Sequence, residues 1–233
     1  MKVGVIQSNY IPWRGYFDFI DNVDTFIIYD DVQYSKGSWR NRNQIKYLNG
    51  LKWITLPVKV NLGMNINEVT LKNDAWKKEH ADLIKLCLGN APYFKEAMDV
   101  WEKGISINTE LLSDLNVSIT RVICDYLDIK TKIIRSEPFD LNGTKTDRLM
   151  ELFEKVGATS YLSGPAAESY LDVELFKKNK ISLVYKSYTY KEYSQQFGEF
   201  SPAVTILDLI ANMGPESKNY YKSTVPDSEF LRV

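Results

Sequence analysis

The chain has a single histidine, His80, and only two cysteines, Cys87 and Cys124. One histidine cannot build a His-based metal site, and the cysteines lack a metal-ligand spacing, so no metal site of His or Cys ligands is expected. Both cysteines sit in apolar, helix-like contexts, which predicts reduced core thiols in a cytoplasmic protein. No P-loop, Gly-x-Gly-x-x-Gly fingerprint, paired-Cys motif or His-Glu-x-x-His helix occurs. Those absences disfavour P-loop NTPases, dinucleotide dehydrogenases and zinc enzymes. No apolar run approaches the roughly 18 residues of a membrane span. The N-terminus turns polar at Gln7 after one short apolar stretch, unlike a signal peptide. Charge of either sign is not in excess: the net value is −1. That disfavours a general nucleic-acid binder and leaves room for a local basic patch.

Length bounds the rest. A chain of 233 residues suits one domain, here with a largely helical segment at about 76–128. It can bury roughly 70–75% of the surface it exposes when unfolded. Lys2–Ile6 reads as a first, central strand, Gln7–Trp13 as a loop and Arg14–Asn22 as a short helix. Thr25–Tyr29 reads as a second strand parallel to the first, completing a βαβ unit. Gln44–Lys46 and Lys52–Val58 read as a hairpin turning at Asn49-Gly50. Three helices are expected between Trp76 and Leu127, the last with a long apolar stripe. Thr131–Arg135 reads as a strand, Thr144–Val156 as a capped helix stopped by Gly157, and Ser160–Ser163 as a strand. Leu171–Asn179 follows as a helix, Ile181–Lys186 as a strand and Ala203–Asn212 as a final helix. Alternating strands and helices predict an α/β fold, Rossmann-like, with a mainly parallel sheet flanked by helices and a helical insertion.

The densest chemistry lies in Asp30–Asn43, read as DDVQYSKGSWRNRN. It follows the apolar run Phe26–Tyr29, so it sits at a strand end, where open α/β sheets place ligands. A solvated connector would favour small turn residues. This one carries Asp30, Asp31, Gln33, Tyr34, Lys36, Trp39, Arg40, Asn41, Arg42 and Asn43. Guanidinium forks suit phosphate, and amides suit sugar hydroxyls. A carboxylate can act as a base or hold Mg²⁺. Adjacent aspartates in an extended segment point to opposite sides, so one of Asp30 and Asp31 is expected to serve, not both.

Three further elements are candidates. The first loop supplies Gln7, Asn9, Tyr10 and Trp13 between a strand and a helix N-terminus, a phosphate position in nucleotide-binding folds. It resembles the loop of class I nucleotidyltransferases, but Trp13 and Tyr16 stand where their histidines would be. Ser163 and Gly164, at a strand end before Pro165, can offer backbone N–H groups to an anion. Tyr188 and Tyr193 lie in a tyrosine-rich stretch that could wall a pocket. His80 shares a helix face with Trp76 and has the one unperturbed pKa near neutrality, which makes it the first candidate for a neutral general base. A surface or packed histidine is the competing reading.

The segments IQSNYIPWRGYFDFI (6–20), FIIYDDVQYSKGSWRNRNQIK (26–46), WITLPV (53–58), APYF (91–94), YLSGPAA (161–167) and TILDL (205–209), with His80 after Trp76, resemble the WbqC-like family over nearly the whole chain. Ser8 departs from a more usual proline, and Gln195-Gln196 from a Pro-Gln pair. The resemblance implies a role in O-antigen or other surface-polysaccharide biosynthesis. It implies a transferase moving glycine, or another small acyl group, onto the amine of a nucleotide-linked amino sugar. The diphosphate would then meet Arg40 and Arg42, with Asn41 and Asn43 on hydroxyls and Trp39 and Tyr34 on rings. The acyl donor stays open: an ATP-derived adenylate, with Mg²⁺, or a charged tRNA. The alternatives are an ATP-dependent nucleotidyltransferase or ligase, and a non-catalytic nucleotide-sugar binding protein.

Overall fold

The computed structural model describes all 233 residues. A six-stranded sheet forms the centre, in the order β10-β9-β8-β1-β2-β7. Its strands are β1 (Lys2–Ile6), β2 (Thr25–Ile28), β7 (Lys132–Arg135), β8 (Ser160–Ser163), β9 (Ser182–Tyr185) and β10 (Ser228–Leu231). All neighbours pair parallel except β9 and β10. Counted in chain order, the parallel strands read 3-2-1-4-5, the order of a doubly wound nucleotide-binding sheet. The chain reverses direction across the sheet between β1 and β8. In such sheets the crevice beyond the strand carboxyl ends at that reversal is the ligand position.

The strands are short and nearly continuous in apolar residues because both faces are covered. On one face, Phe26, Ile28 and Leu162 pack against α1 (Arg14–Asp21), α3 (Phe94–Ile105), α4 (Leu112–Leu127) and α7 (Ile206–Met213), with α2 (Ala75–Leu88) in the same core. On the other, Val3, Val5, Ile27, Tyr161 and Leu183 pack against α5 (Lys145–Val156) and α6 (Val173–Lys178). Every residue of α1 from Arg14 to Ile20 is buried; Arg14 donates to the carbonyls of Lys191 and Tyr220, and Asp18 pairs with Lys186, so the C-terminal segment packs against this helix. Gly157 ends α5 at φ +71, a left-handed position that glycine adopts without a Cβ penalty.

Two small antiparallel pairs stand outside the main sheet. One is the hairpin β3 (Arg42–Tyr47) and β4 (Gly50–Thr55); the other is β5 (Val58–Lys59) with β6 (Thr70–Leu71). The hairpin differs from expectation. Tyr47 pairs with Gly50, so the two-residue turn is Leu48-Asn49, and Gly50 is the first strand residue at φ +111. The first strand extends beyond Gln44–Lys46 at both ends, to Arg42 and Tyr47, while the second shifts toward the N-terminus and ends at Thr55. Thr144 holds the N-cap position of α5 without a side-chain capping bond. The last helix begins at Ile206, capped by the Thr205 hydroxyl, and Gly214-Pro215 opens a 3₁₀ turn over Gly214–Asn219. Strand β10 has no counterpart in the sequence reading. Its Ser-Glu-Phe-Leu is half polar and largely exposed, so it shows no alternation that could mark a strand. No helix is long and apolar enough to cross a membrane. Cys87 and Cys124 are buried free thiols.

Candidate functional site

A cleft of about 1060 Å³ opens at the chain reversal. Val5, Ile6 and Gln7 leave β1 along its floor, and Tyr29, Asp31 and Gln33 leave β2 beside them. Tyr161 comes from β8, Tyr170 from the turn beyond it, and Gly143–Thr146 and Arg148 from the start of α5. Asp31 is the one carboxylate in this lining, against the two cations Lys145 and Arg148. Arg148 donates to the Asp31 carboxylate at 2.5 Å and to its carbonyl at 3.2 Å, and its guanidinium lies over the Tyr29 ring. Burial raises the Tyr29 hydroxyl to about 12. Ser136 donates to the second Asp31 oxygen.

Asp30 points the other way, as neighbours in an extended segment do. It is fully buried. One oxygen accepts from the Ser8 N–H at 2.8 Å and the other from the Ser113 hydroxyl at 2.5 Å, which itself accepts from Arg135 at 3.1 Å. Asp30 thus ties the end of β1 to α4 and lines neither this cleft nor the smaller one described below.

A second cleft of about 290 Å³ is lined by Asn9, Pro12, Trp13, Trp39, Asn43 and Ala203. The loop carrying three of these is strained. Ile11 is held at φ +41, a position that costs a β-branched residue about 1–3 kcal/mol. Asn43 supplies the restraint. Its Nδ2 donates to the carbonyls of Tyr10 at 3.2 Å and Ile11 at 2.7 Å, while the Tyr10 N–H donates to the Trp39 carbonyl at 3.0 Å. Trp13 is set by its neighbours. Its ring lies against Tyr188 at 5.3 Å and Tyr190 at 5.7 Å, and over Gly15, where a Cβ would come within 2.3 Å of the indole.

Arg40 stands between the clefts. One guanidinium nitrogen donates to Gln7 Oε1 at 2.7 Å, in the wall of the larger cleft. Another donates to Asn9 Oδ1, in the wall of the smaller. No carboxylate pairs with it; Asp30 acts on it only through space. Burial lowers its pKa, yet an arginine retains its proton in a protein. The result is a half-buried cation with spare N–H donors, held by two neutral amides. Such a group is suited to an anion or a developing oxyanion.

The remaining expected site residues take other places. His80 is buried; its Nδ1 accepts from the Tyr10 hydroxyl at 2.7 Å and its Nε2–H donates to the Thr55 carbonyl at 3.2 Å. The carbonyl can only accept, which sets the tautomer. Trp101 Nε1 donates to the Tyr10 oxygen at 3.3 Å. Burial lowers His80 to about 4, so the ring is neutral and both nitrogens are occupied. In this arrangement His80 and Tyr10 knit α2 and α3 to the first loop. Tyr34 and Asn41 are buried and bonded to each other at 2.9 Å, and Asn41 also donates to the Leu56 carbonyl. Ser163 is buried with its hydroxyl on Tyr161, and neither it nor Gly164 lines the cleft. Tyr193 donates to the buried Asp208 at 2.8 Å. Lys36 is exposed outside both clefts. Arg42 lies over the Trp53 ring at 4.1 Å, with no carboxylate partner and its Nε buried without an acceptor.

Reasoning from the chain missed Tyr29, Tyr170, Lys145 and Arg148. A strand ending in Tyr followed by Asp was within reach, since Tyr29 directly precedes Asp30. The start of α5 was not, because only the strand order brings it over β1 and β2. No group of three or more His, Cys, Asp and Glu side chains is gathered as a metal-ion cluster.

The chain is similar to an uncharacterized protein of Mycobacterium tuberculosis (strain ATCC 25618 / H37Rv), Rv1507c. The two are 43% identical over 226 residues, covering 95% of this chain and 97% of the relative. No solved structure matches. Residues 7–220, which include the smaller cleft, all of the larger one but Val5 and Ile6, all of Asp30–Asn43 and the helical insertion, match the WbqC-like protein family, and the chain belongs to that family.

Proposed function

We propose that this protein transfers a glycyl or other small acyl group to the amine of a nucleotide-linked amino sugar, in surface-polysaccharide biosynthesis. The observation that carries the reading is a pair of clefts of unequal size whose walls, at Gln7 and Asn9, are bridged by one guanidinium without a carboxylate partner, Arg40. The larger has the volume of a nucleotide-sugar and stands where doubly wound sheets bind nucleotides. Its Lys145 and Arg148 suit a diphosphate, Tyr29 and Tyr170 suit rings, and Gln7 and Gln33 suit hydroxyls. This moves the expected diphosphate contacts from Arg40 and Arg42 to the start of α5.

In this reading the reaction runs between the two clefts. The sugar amine, reaching from the larger cleft, attacks the acyl carbonyl held from the smaller one. A C–N bond forms, and the carbonyl oxygen takes the negative charge beside Arg40. Asp31, the carboxylate of the larger cleft, accepts the proton that the amine sheds. Collapse of the intermediate breaks the bond to the carrier, which leaves with the electron pair. That proton transfer does not call on His80 or Asp30.

Mass spectrometry of a nucleoside-diphosphate amino sugar, incubated with the protein and either an aminoacyl adenylate or a charged tRNA, tests the reading. The expected product is heavier by one acyl group. Asp31→Asn keeps a hydrogen bond to Arg148 and removes the base, so turnover falls about 10²–10⁴-fold. Failure of the wild type to acylate any amino sugar in a panel covering different nucleotides and amine positions overturns it.

A further inference from the structure

The five tryptophans divide sharply. Trp76 and Trp101 are fully buried in the core. Trp39 and Trp53 are 46% and 44% exposed, side by side, with ring centroids 5.6 Å apart and an interplanar angle of 34°. Trp13 and Trp39 both line the smaller cleft. Two half-exposed indoles in contact leave a large apolar surface in water, which marks a binding surface more than a fold requirement. The hairpin explains how they are held out. Asn43, Ile45 and Ile54 point inward, so Arg42, Gln44 and Trp53 share the outer face, and the Arg42 guanidinium rests on Trp53.

The chemistry of the smaller cleft is correspondingly narrow. Its aromatic walls are flat. Asn9 spends its oxygen on Arg40 and keeps its Nδ2 donors. Asn43 spends its amide on the backbone. Arg40 and Arg42 lie behind the walls, neither paired with a carboxylate. At about 290 Å³ the space is at the small end of ligand pockets, the size of one bicyclic ring with its ribose. Flat aromatic walls, a free amide donor and nearby unpaired cations are together the recognition chemistry of a nucleotide, with the base on the indoles.

We infer that the cleft between Trp13 and Trp39 binds a purine nucleotide, and that the acyl donor is therefore a purine nucleoside bearing the acyl group. The second clause rests on the transferase reading; the first stands without it. An acyl adenylate and the 3′-terminal adenosine of a charged tRNA share this chemistry, and the small cleft takes the purine of either.

Calorimetric titration with adenosine monophosphate, and separately with a CCA trinucleotide, tests the inference. Either probe binding the wild type meets the first expectation, and the tighter of the two identifies the donor. Trp39→Ala, at a half-exposed position, weakens binding by about 5- to 150-fold, the range of one lost base–aromatic stack, and Trp39→Phe restores most of it. The Lys145→Ala/Tyr170→Ala variant, altered only in the larger cleft, keeps the wild-type Kd for these probes. Absence of binding by both probes, or binding insensitive to Trp39→Ala, overturns the inference. A loss confined to the Lys145/Tyr170 variant places the purine in the larger cleft and also overturns it. A nucleotide-linked amino sugar titrated in parallel separates the two readings. If it binds while both probes fail, the transferase reading stands without this site; if the probes bind and it does not, the site stands alone.

Discussion

Single residues carry opposite titration signatures here, and these distinguish structural from chemical roles. His80 is neutral in the fold, at about 4 against 6.5 when unfolded. The unfolded chain therefore binds more protons between those values. The His80 contribution is complete above pH 6.5 and is lost as pH falls toward 4, on the order of 3 kcal/mol. Asp208, buried among Tyr193, Gln195 and Asn212, is raised to about 6 from 3.8. Its contribution is complete below 3.8 and is lost as pH rises through 6. Urea denaturation at pH 4.5, 5.5 and 7 reads both. Relative to wild type, His80→Gln is destabilised by about 1–3 kcal/mol at pH 7 through the Tyr10 bond it loses, and the gap narrows as pH falls. Asp208→Asn gains on wild type as pH rises. Turnover by His80→Gln protein that remains folded stays near wild type, since the imidazole touches no reacting group. Sequence reasoning singled out His80 because an unperturbed imidazole titrates near neutrality. Its burial and the bonds at both ring nitrogens, invisible along the chain, favour a structural role instead.

Among the elements, the first loop and the hairpin act as one unit. Asn43 on β3 restrains the strained Ile11 by two carbonyl contacts, and Gly15 on α1 leaves room for the Trp13 ring. Asn43→Ala releases the loop and leaves buried carbonyls unpaired, costing about 1–3 kcal/mol in chemical denaturation. Gly15→Ala puts a methyl group into the indole and forces Trp13 out of its seat. It is expected to weaken ligands of the smaller cleft while sparing those of the larger, measured by titration of each. The Asp30–Asn43 segment was legible as a concentration of guanidinium, amide and aromatic groups at a strand end. Which of those groups face a ligand was not legible. Alternation assigns sides only in regular strands, and Val32–Arg40 is irregular apart from one bridge at Gln33. Tyr34 and Asn41 consequently turned inward to each other, while Asp31, Gln33 and Trp39 line the clefts.

At the scale of the molecule, the parallel sheet was readable because each strand is a short apolar run between helical stretches. Its order was not, since that is decided by contacts between strands distant in sequence, such as β1 with β8. The order in turn places the start of α5, an unremarkable Thr-Lys-Thr-Asp in the chain, across the cleft from Asp31 and Gln7. The central claim is that a nucleotide-linked amino sugar occupies this cleft. Calorimetric titration of that ligand into wild type and the Lys145→Ala/Tyr170→Ala variant tests it most directly, because both residues are exposed rim positions whose loss spares the core. The account predicts saturable binding to the wild type and at least a tenfold weaker Kd in the variant, with Trp39→Ala unchanged. Equal affinity in wild type and the rim variant would contradict it.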